Sequence, residues 1–405
     1  MFAFTSLCVL VGSSFFIILL RVLDKNPVPL FGVYRRRSGL YWIKVWIMYT
    51  VLTLKKVTSR FTNYEEYYDK IDKPQELSHH SKAVDAVNFN GANKNGDYFI
   101  FATARRKNRL IDGLFFLKVA NSNMGVLTIP KIPDTTLFND GDEDKYEAEG
   151  IQISCVEPMK KWKLTYAGVM KNFENPDQQS NVTLDAVWTS EQPCFNFDKD
   201  MDAWDMAKAI AYERWSRNYF ANLEKNHQVH YEQFGTLKAH ITINGSKYNI
   251  EVDALRDHSV ATKREWAQFR RYGMHFFSAE NGDHFSVGSI CLPISFSRLN
   301  VGFVYSARER NVYAIRKSNL RLYNHGEMGR APRDYAFSFK AGPKTYNVKV
   351  NVIHEPYFYI SKDWEVKIYE RLCNFDVDGV KGWGASEWLY RNVGGRNAEK
   401  NSLLG

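Results

Sequence analysis

Leu237-Lys-Ala-His-Ile-Thr-Ile-Asn-Gly-Ser-Lys-Tyr-Asn-Ile-Glu-Val-Asp-Ala254 alternates apolar and polar residues on both sides of a central Asn244-Gly245 pair. Leu237, Ala239, Ile241 and Ile243 share one face, and Tyr248, Ile250, Val252 and Ala254 repeat the period on the return. A period of two is the mark of a strand with one buried face, and Asn-Gly supplies the positive φ angles of a two-residue turn. The stretch is therefore a β-hairpin, and it sets the pattern for the rest of the chain.

Similar signals extend in both directions. Asn95-Gly96 precedes Tyr98 to Ala102, and Trp162 to Val169, Val182 to Trp188 and His284 to Cys291 alternate in the same way. Gly342-Pro343 separates Tyr335 to Phe339 from Tyr346 to Val352. Many short strands at this spacing predict antiparallel sandwiches or barrels. One helix interrupts them: Asp200 can cap a segment whose Trp204, Ala207, Ala211, Trp215 and Tyr219 fall on one face. The fold class expected is mainly β, with a first β-domain over 61–199, a connecting helix over 200–226, a second β-domain over 227–395 and a tail over 396–405.

The N-terminal part reads differently. Residues 2–20 carry no charge and are rich in Phe, Leu, Ile and Val; nineteen helical residues cover about 28 Å, close to a bilayer core. No basic n-region precedes Arg21 and no small-residue cleavage site follows, which favours an uncleaved transmembrane signal anchor over 1–24 rather than a removed signal. A basic juxtamembrane segment over 25–60 follows. It holds a shorter apolar stretch, Tyr41 to Leu54, bracketed by Arg35, Arg36 and Arg37 and by Lys55 and Lys56. Trp42, Trp46 and Tyr49 suit the headgroup layer, so this is either an interfacial helix on an anionic leaflet or an ordinary core element. Basic residues are held on the cytoplasmic side, so the expectation is a single-pass protein of the endoplasmic reticulum membrane with its body facing the cytosol and the lipid bilayer as a partner.

Charge supports that division. The chain of 405 residues has a formal charge of +9. Residues 1–60 hold nine Lys and Arg against Asp24 alone, so the remaining body is nearly neutral. A nucleic-acid-binding face needs cations clustered on the folded body, and nucleic acid is excluded as a partner. Gly and Pro together number 37, while 44 % of residues are hydrophobic, which excludes low-complexity disorder. The five cysteines show no C-x-x-C spacing and fit reduced thiols. The sequons at Asn181 and Asn244 are read as unoccupied.

Several catalytic signatures fail on spacing. P-loop, G-x-G-x-x-G, G-x-S-x-G and H-E-x-x-H patterns are missing, so no cofactor is expected. Asp140, Asp142 and Asp144 imitate a calcium loop, but Lys145 and Ile151 occupy its obligatory Gly and Glu positions. The histidines lack metal-ligand spacing, and no metal site is expected. The densest polar cluster is Tyr231-Glu232-Gln233 at the entry to the hairpin, with Arg256-Asp257-His258-Ser259 and Arg264-Glu265-Trp266 at its exit. Antiparallel pairing brings the two groups to one end of the ladder. There a carboxylate beside His could relay a proton, or the same side chains could form a buried ion-pair network.

These runs, His230-Tyr-Glu-Gln-Phe-Gly235, Arg256-Asp-His-Ser259 and Arg264-Glu-Trp266, resemble the motif of tandem lipocalin-like proteins related to hydroxyneurosporene synthase, also called carotenoid 1,2-hydratase. Asp85-Ala-Val-Asn-Phe-Asn-Gly91, Ala211-Tyr-Glu-Arg-Trp-Ser-Arg217 and Gly379-Val-Lys-Gly-Trp-Gly-Ala-Ser-Glu-Trp388 extend the likeness. A similar module precedes the catalytic part of some arthropod phosphoenolpyruvate-synthase-like proteins. The sequence departs from the pattern where Val260-Ala261-Thr262 follows the R-D-H-S run and where Glu265 replaces an aspartate. The resemblance implies two lipocalin-like antiparallel barrels or sandwiches, each with an interior suited to one small apolar ligand.

Three functions are compatible with this reading. One is a membrane-anchored binding protein for an isoprenoid, retinoid, sterol or fatty-acyl molecule, with Tyr231, Arg256 and Trp266 at the ligand. Another is a hydratase or isomerase acting on a double bond of such a lipid. In it Asp257 or Glu232 is the acid, His258 the relay, and Trp266 or Tyr231 the stabiliser of a carbocation. The third is a non-catalytic interaction scaffold.

Overall fold

The computed structural model describes residues 25–59 and 64–397, and in it the Asn244-Gly245 hairpin is longer than its alternation suggests. Its two strands, β11 (Gln228–Ile243) and β12 (Ser246–Ala261), run sixteen residues each. Asn244 and Gly245 both take positive φ, at 49° and 85°, as a tight hairpin turn requires. The pairing register sets Tyr231 opposite His258 and Glu232 opposite Asp257, so the two polar groups are neighbours.

Eight strands close the first barrel: β1 (Val84–Ala92), β2 (Tyr98–Arg105), β3 (Leu110–Lys118), β4 (Leu127–Thr128), β8 (Lys161–Asn172), β9 (Gln179–Thr189), β11 and β12. Short strands β5 (Thr136–Phe138), β6 (Tyr146–Ala148), β7 (Ile151–Glu157) and β10 (Phe195–Asn196) extend its rim. The second barrel is closed by β13 (Arg271–Ala279), β14 (His284–Leu292), β15 (Phe296–Ser306), β16 (Asn311–Ser318), β17 (Asp334–Ala341), β18 (Lys344–His354), β20 (Val366–Val377) and β21 (Val380–Arg391), with β19 (Tyr357–Ile360) beside β20. All strand pairs are antiparallel, and closure leaves neither barrel with a free edge.

The domain boundary differs from the sequence expectation. β12 pairs with β1 and β11 pairs with β9, so the hairpin belongs to the first barrel, and the crossing to the second falls after Ala261. Sixteen-residue strands need hydrogen-bond partners on both outer edges, and only the first barrel offers them. The segment over 200–226 is accordingly an excursion between β10 and β11. It holds two helices, Ala203–Ala211 and Arg217–Lys225. Asp202 and Ser216 are the N-caps, while Asp200 accepts from the Asn196 amide.

Both barrel interiors are occupied by rings. In the first, Phe89 packs 6.1 Å from Trp162 and 5.9 Å from Trp188. Gly235 is required beneath Trp188, since a Cβ there would lie 2.4 Å from the Thr189 carbonyl oxygen and 2.8 Å from the indole. In the second, Phe277 stacks on Phe375 at 4.0 Å and on Phe285 at 4.5 Å. The barrels also pack against each other: Phe195 stacks on Phe303 at 4.7 Å, and Phe234 on His284 at 4.9 Å. As a result β13 is buried on both faces, and β1 nearly so.

The helix Tyr41–Ser59 extends the expected apolar stretch and lies on helix Ala203–Ala211, with Tyr41 and Val45 against Ala207 and Ala211. The anchor expected over 1–24 lies outside the described residues. Among the described residues no helix is long and apolar enough to cross a membrane.

Candidate functional site

Because successive strand residues point to opposite faces, the hairpin divides its polar cluster in two. Tyr231, Gln233, Arg256 and His258 share the face that carries Phe89 and Trp188, inside the first barrel. Glu232 and Asp257 share the other, which faces the second barrel. Thus the six residues singled out from sequence do not form one site.

The inner group is a closed ion-pair chain. Arg256 bonds Asp72 through one guanidinium nitrogen and Gln233 at 2.9 Å through the other. His258 meets the Tyr231 hydroxyl at 2.5 Å on Nδ1 and Asp85 at 2.9 Å on Nε2. Asp85 also accepts from Tyr146 at 2.8 Å and from Arg105 at 2.8 Å. Arg105 is covered in turn by Asp144 at 3.0 Å, so the calcium-like acidic turn serves as a lid over a buried cation. Burial alone would raise both aspartates, but Arg256 and His258 hold Asp72 far below its usual range, and His258 lowers Asp85. His258 is desolvated as well, yet the two aspartates raise it above an ordinary imidazole. Every charge here is answered by an opposite one, and Tyr231, Arg256 and His258 are built into the barrel wall rather than presented to a ligand.

The face toward the second barrel has the opposite character. Glu232 is 1 % exposed, its Oε2 lacks a hydrogen-bond partner, and burial pushes its carboxyl up to about 8. A carboxylic acid with that value is protonated at neutral pH. Asp257, on the partner strand, has its own burial outweighed by His230, then Arg264, and stays below its usual range. His230 Nε2 lies 3.0 Å from Asp257 Oδ2 and 3.6 Å from Glu232 Oε1, and its ring stacks on Phe197 at 4.1 Å. The neighbouring barrel adds Glu370 and Glu387, cross-strand partners on β20 and β21. Burial and mutual repulsion drive Glu370 well up, and burial brings Glu387 to about 7. Asn90 donates to Glu370 at 3.1 Å, and the Tyr272 hydroxyl donates to Glu387.

Several polar atoms without a partner lie along this seam. Besides Glu232 Oε2, the carbonyl oxygens of the Asn88 and Asn90 side chains and the hydroxyls of Tyr98 and Ser286 are buried without a partner. Unsatisfied buried groups are costly, so they mark a place for a ligand or waters. Trp266 stands in the crossover between barrels, half-buried, with Arg264 5.7 Å from its ring and Phe269 linking it to Tyr272. Its indole N–H is also unpartnered. A pocket of about 380 Å³ opens at the adjoining Ala267, beside Glu365, Arg391 and Arg396, and no seam carboxyl lines it. His230, Glu232 and Asp257 set one potential ligand atom each within 4.8 Å of one another, a grouping their sequence spacing does not reveal.

Sequence reasoning found the two acids but missed Glu370, Glu387 and Tyr272 on their side of the hairpin, and Asp72, Asp85 and Tyr146 around Arg256 and His258 on the other. Asp85 and Glu387 lie within stretches already noted for resemblance; Asp72 carries no local signal. Of the two imidazoles, His258 lies inside the first barrel against Asp85, and His230 is the one beside both Glu232 and Asp257.

Solved structures similar to this chain include a protein described as an AttH from Nitrosomonas europaea, at 10 % identity and TM-score 0.44, covering 78 % of this chain and 94 % of that one. Kievitone hydratase from Nectria haematococca matches at 11 % identity and TM-score 0.43, covering 78 % and 90 %. CghA matches at 10 % identity and TM-score 0.42, covering 80 % and 96 %. Likenesses at this level say nothing about chemistry, and the two barrels rest on their strand pairing alone. No curated protein sequence matches the chain. A family model matches residues 6–390, and the chain belongs to that family, described as a family of unknown function, DUF8627.

Proposed function

We propose that the seam between the barrels is an acid–base site that binds an apolar, unsaturated molecule and adds water to, or isomerises, one of its double bonds. The observation that carries this is Glu232: a buried carboxyl whose Oε2 lacks a hydrogen-bond partner, kept protonated near neutral pH, 3.6 Å from an imidazole that also holds an ionised aspartate. Protonating an alkene requires such an acid, poised near the working pH in a desolvated site. Glu232 would deliver its proton to one alkene carbon, leaving positive charge on the other. The Asp257 carboxylate and the faces of Phe197 and Trp266 would stabilise that charge. Water then adds to the cation while the Asp257 carboxylate takes up the released proton. His230, within reach of both carboxyls, returns it to Glu232, so the net change is H and OH across the double bond. Loss of a neighbouring C–H proton instead gives isomerisation.

With rings packed in both barrels, this reading puts the ligand at the interface between them rather than in a barrel interior. An anchor at 2–20 would keep that interface beside a bilayer rich in isoprenoid, retinoid, sterol or fatty-acyl substrates. The test is to incubate the full chain with representatives of these classes in deuterated water and follow products by mass spectrometry. Deuterium incorporation that Glu232→Gln abolishes and a chelator leaves intact supports the proposal. Unchanged substrates throughout would sink it, and a chelator-sensitive reaction would assign His230, Glu232 and Asp257 to a cation instead.

A further inference from the structure

Helix Tyr41–Ser59 is turned inside out relative to an ordinary surface helix. Ile43, Trp46, Ile47, Val51, Leu54 and Val57, spaced three and four apart, form one face, and all are about half exposed or more. The cations lie on the packed side instead: Lys44 Nζ reaches the Glu213 carbonyl at 3.4 Å, and Lys56 reaches that of Met201. A helix on a water-soluble surface turns its apolar stripe inward. Here the packed face is already satisfied by Tyr41 and Val45 on Ala207 and Ala211, so the outer stripe is a second apolar face.

We infer that this outer face lies in the plane of an anionic membrane surface, independently of any chemistry at the seam. Three observations select that occupant. The stripe runs about 21 Å without a charged residue, and Trp46 at its edge, 4.9 Å from the Trp204 ring yet still exposed, has the amphipathic ring that settles at the headgroup level. Exposed Arg36 and Arg37 precede it and Lys55 lies near its far end, so both ends carry positive charge suited to anionic headgroups. The uncharged run 2–20 lies upstream on the same side of the chain. A second copy of the helix fits less well: antiparallel pairing would set Arg36 and Arg37 against Lys55, like charge against like.

The full chain, placed in nanodiscs of phosphatidylcholine and phosphatidylserine, carries its own reporters. Of its ten tryptophans none falls in residues 1–24. With acyl chains brominated near the headgroup, emission should drop by roughly a tenth, one indole in ten, since bromine quenches only an indole in the acyl boundary. Trp46→Phe should cut that bromine-dependent loss about two-fold or more, and Ile47→Lys with Val51→Lys should do the same by lifting the face from lipid. Both positions are exposed, so the fold is retained. Emission indifferent to bromine would overturn the inference. So would a disulfide-linked dimer of Ile47→Cys, which would assign the stripe to a second copy.

Discussion

The two faces of one hairpin carry the same kinds of side chain and reach opposite electrostatic outcomes. Toward the barrel interior, Asp72 and Asp85 are matched by Arg256, Arg105 and His258, and the carboxyls are held ionised. Toward the second barrel, Glu232, Glu370 and Glu387 share little cationic company, and burial keeps them protonated into the neutral range or above it. Burial is common to both, so counter-charge makes the difference. A matched network holds the wall of the barrel; an unmatched one retains protons that can be given away.

The sharpest way to break this comparison is to strip the inner face of its partner. Arg256→Met should cost about 3–5 kcal/mol, because buried Asp72 loses its main counter-charge and keeps only His258, and thermal or denaturant unfolding would register it. The outer face should respond in the reverse sense. Glu232 is raised in the folded state, so ionising it opposes folding, and stability should fall as pH rises from about 4.5 through about 8. Glu232→Gln should therefore leave stability nearly unchanged at pH 4 and improve it by up to about 4–5 kcal/mol at pH 9. Unfolding curves at the two pH values check the sign.

His258 and the aspartates beside it define a smaller window. The raised His258 contributes stability that is complete below its unfolded value near 6.5 and is lost as pH climbs through the folded one. The depressed Asp72 and Asp85 contribute above about 4 and lose their effect as pH falls through their folded values. His258→Gln should flatten the alkaline limb by about 1 kcal/mol and weaken the acid limb as well, because His258 is the group that lowers Asp85. The mildest change belongs to Trp266→Ala. Half-buried in the crossover, it should shift stability by about 1 kcal/mol or less while weakening binding of any apolar ligand at the seam; a ligand-induced thermal shift would separate the two.

Much of the fold was legible because alternation and Asn-Gly chemistry are local. The pairing of Glu232 with Asp257 followed from the hairpin alone. What could not be read was which barrel the hairpin joins, since that depends on whether β1 or a later strand meets β12, a contact across 167 residues of chain where Phe89 pairs with Arg256. The site suffered from the same blindness. Period two says that Tyr231 and Glu232 face opposite ways, but not which face meets water, a core or another domain. Asp72, in a turn after helix Tyr64–Ile71, reaches Arg256 only through tertiary folding.

Odd and even positions of β11 and β12 thus hold separate instructions: one set keeps a wall standing, and the next residue along equips the cleft. A change at Glu232 or Asp257 leaves the structural bonds of Tyr231 and His258 untouched. A single inserted residue would be another matter. It would exchange the two sets at a stroke, delivering protonated acids to the core and salt bridges to the cleft.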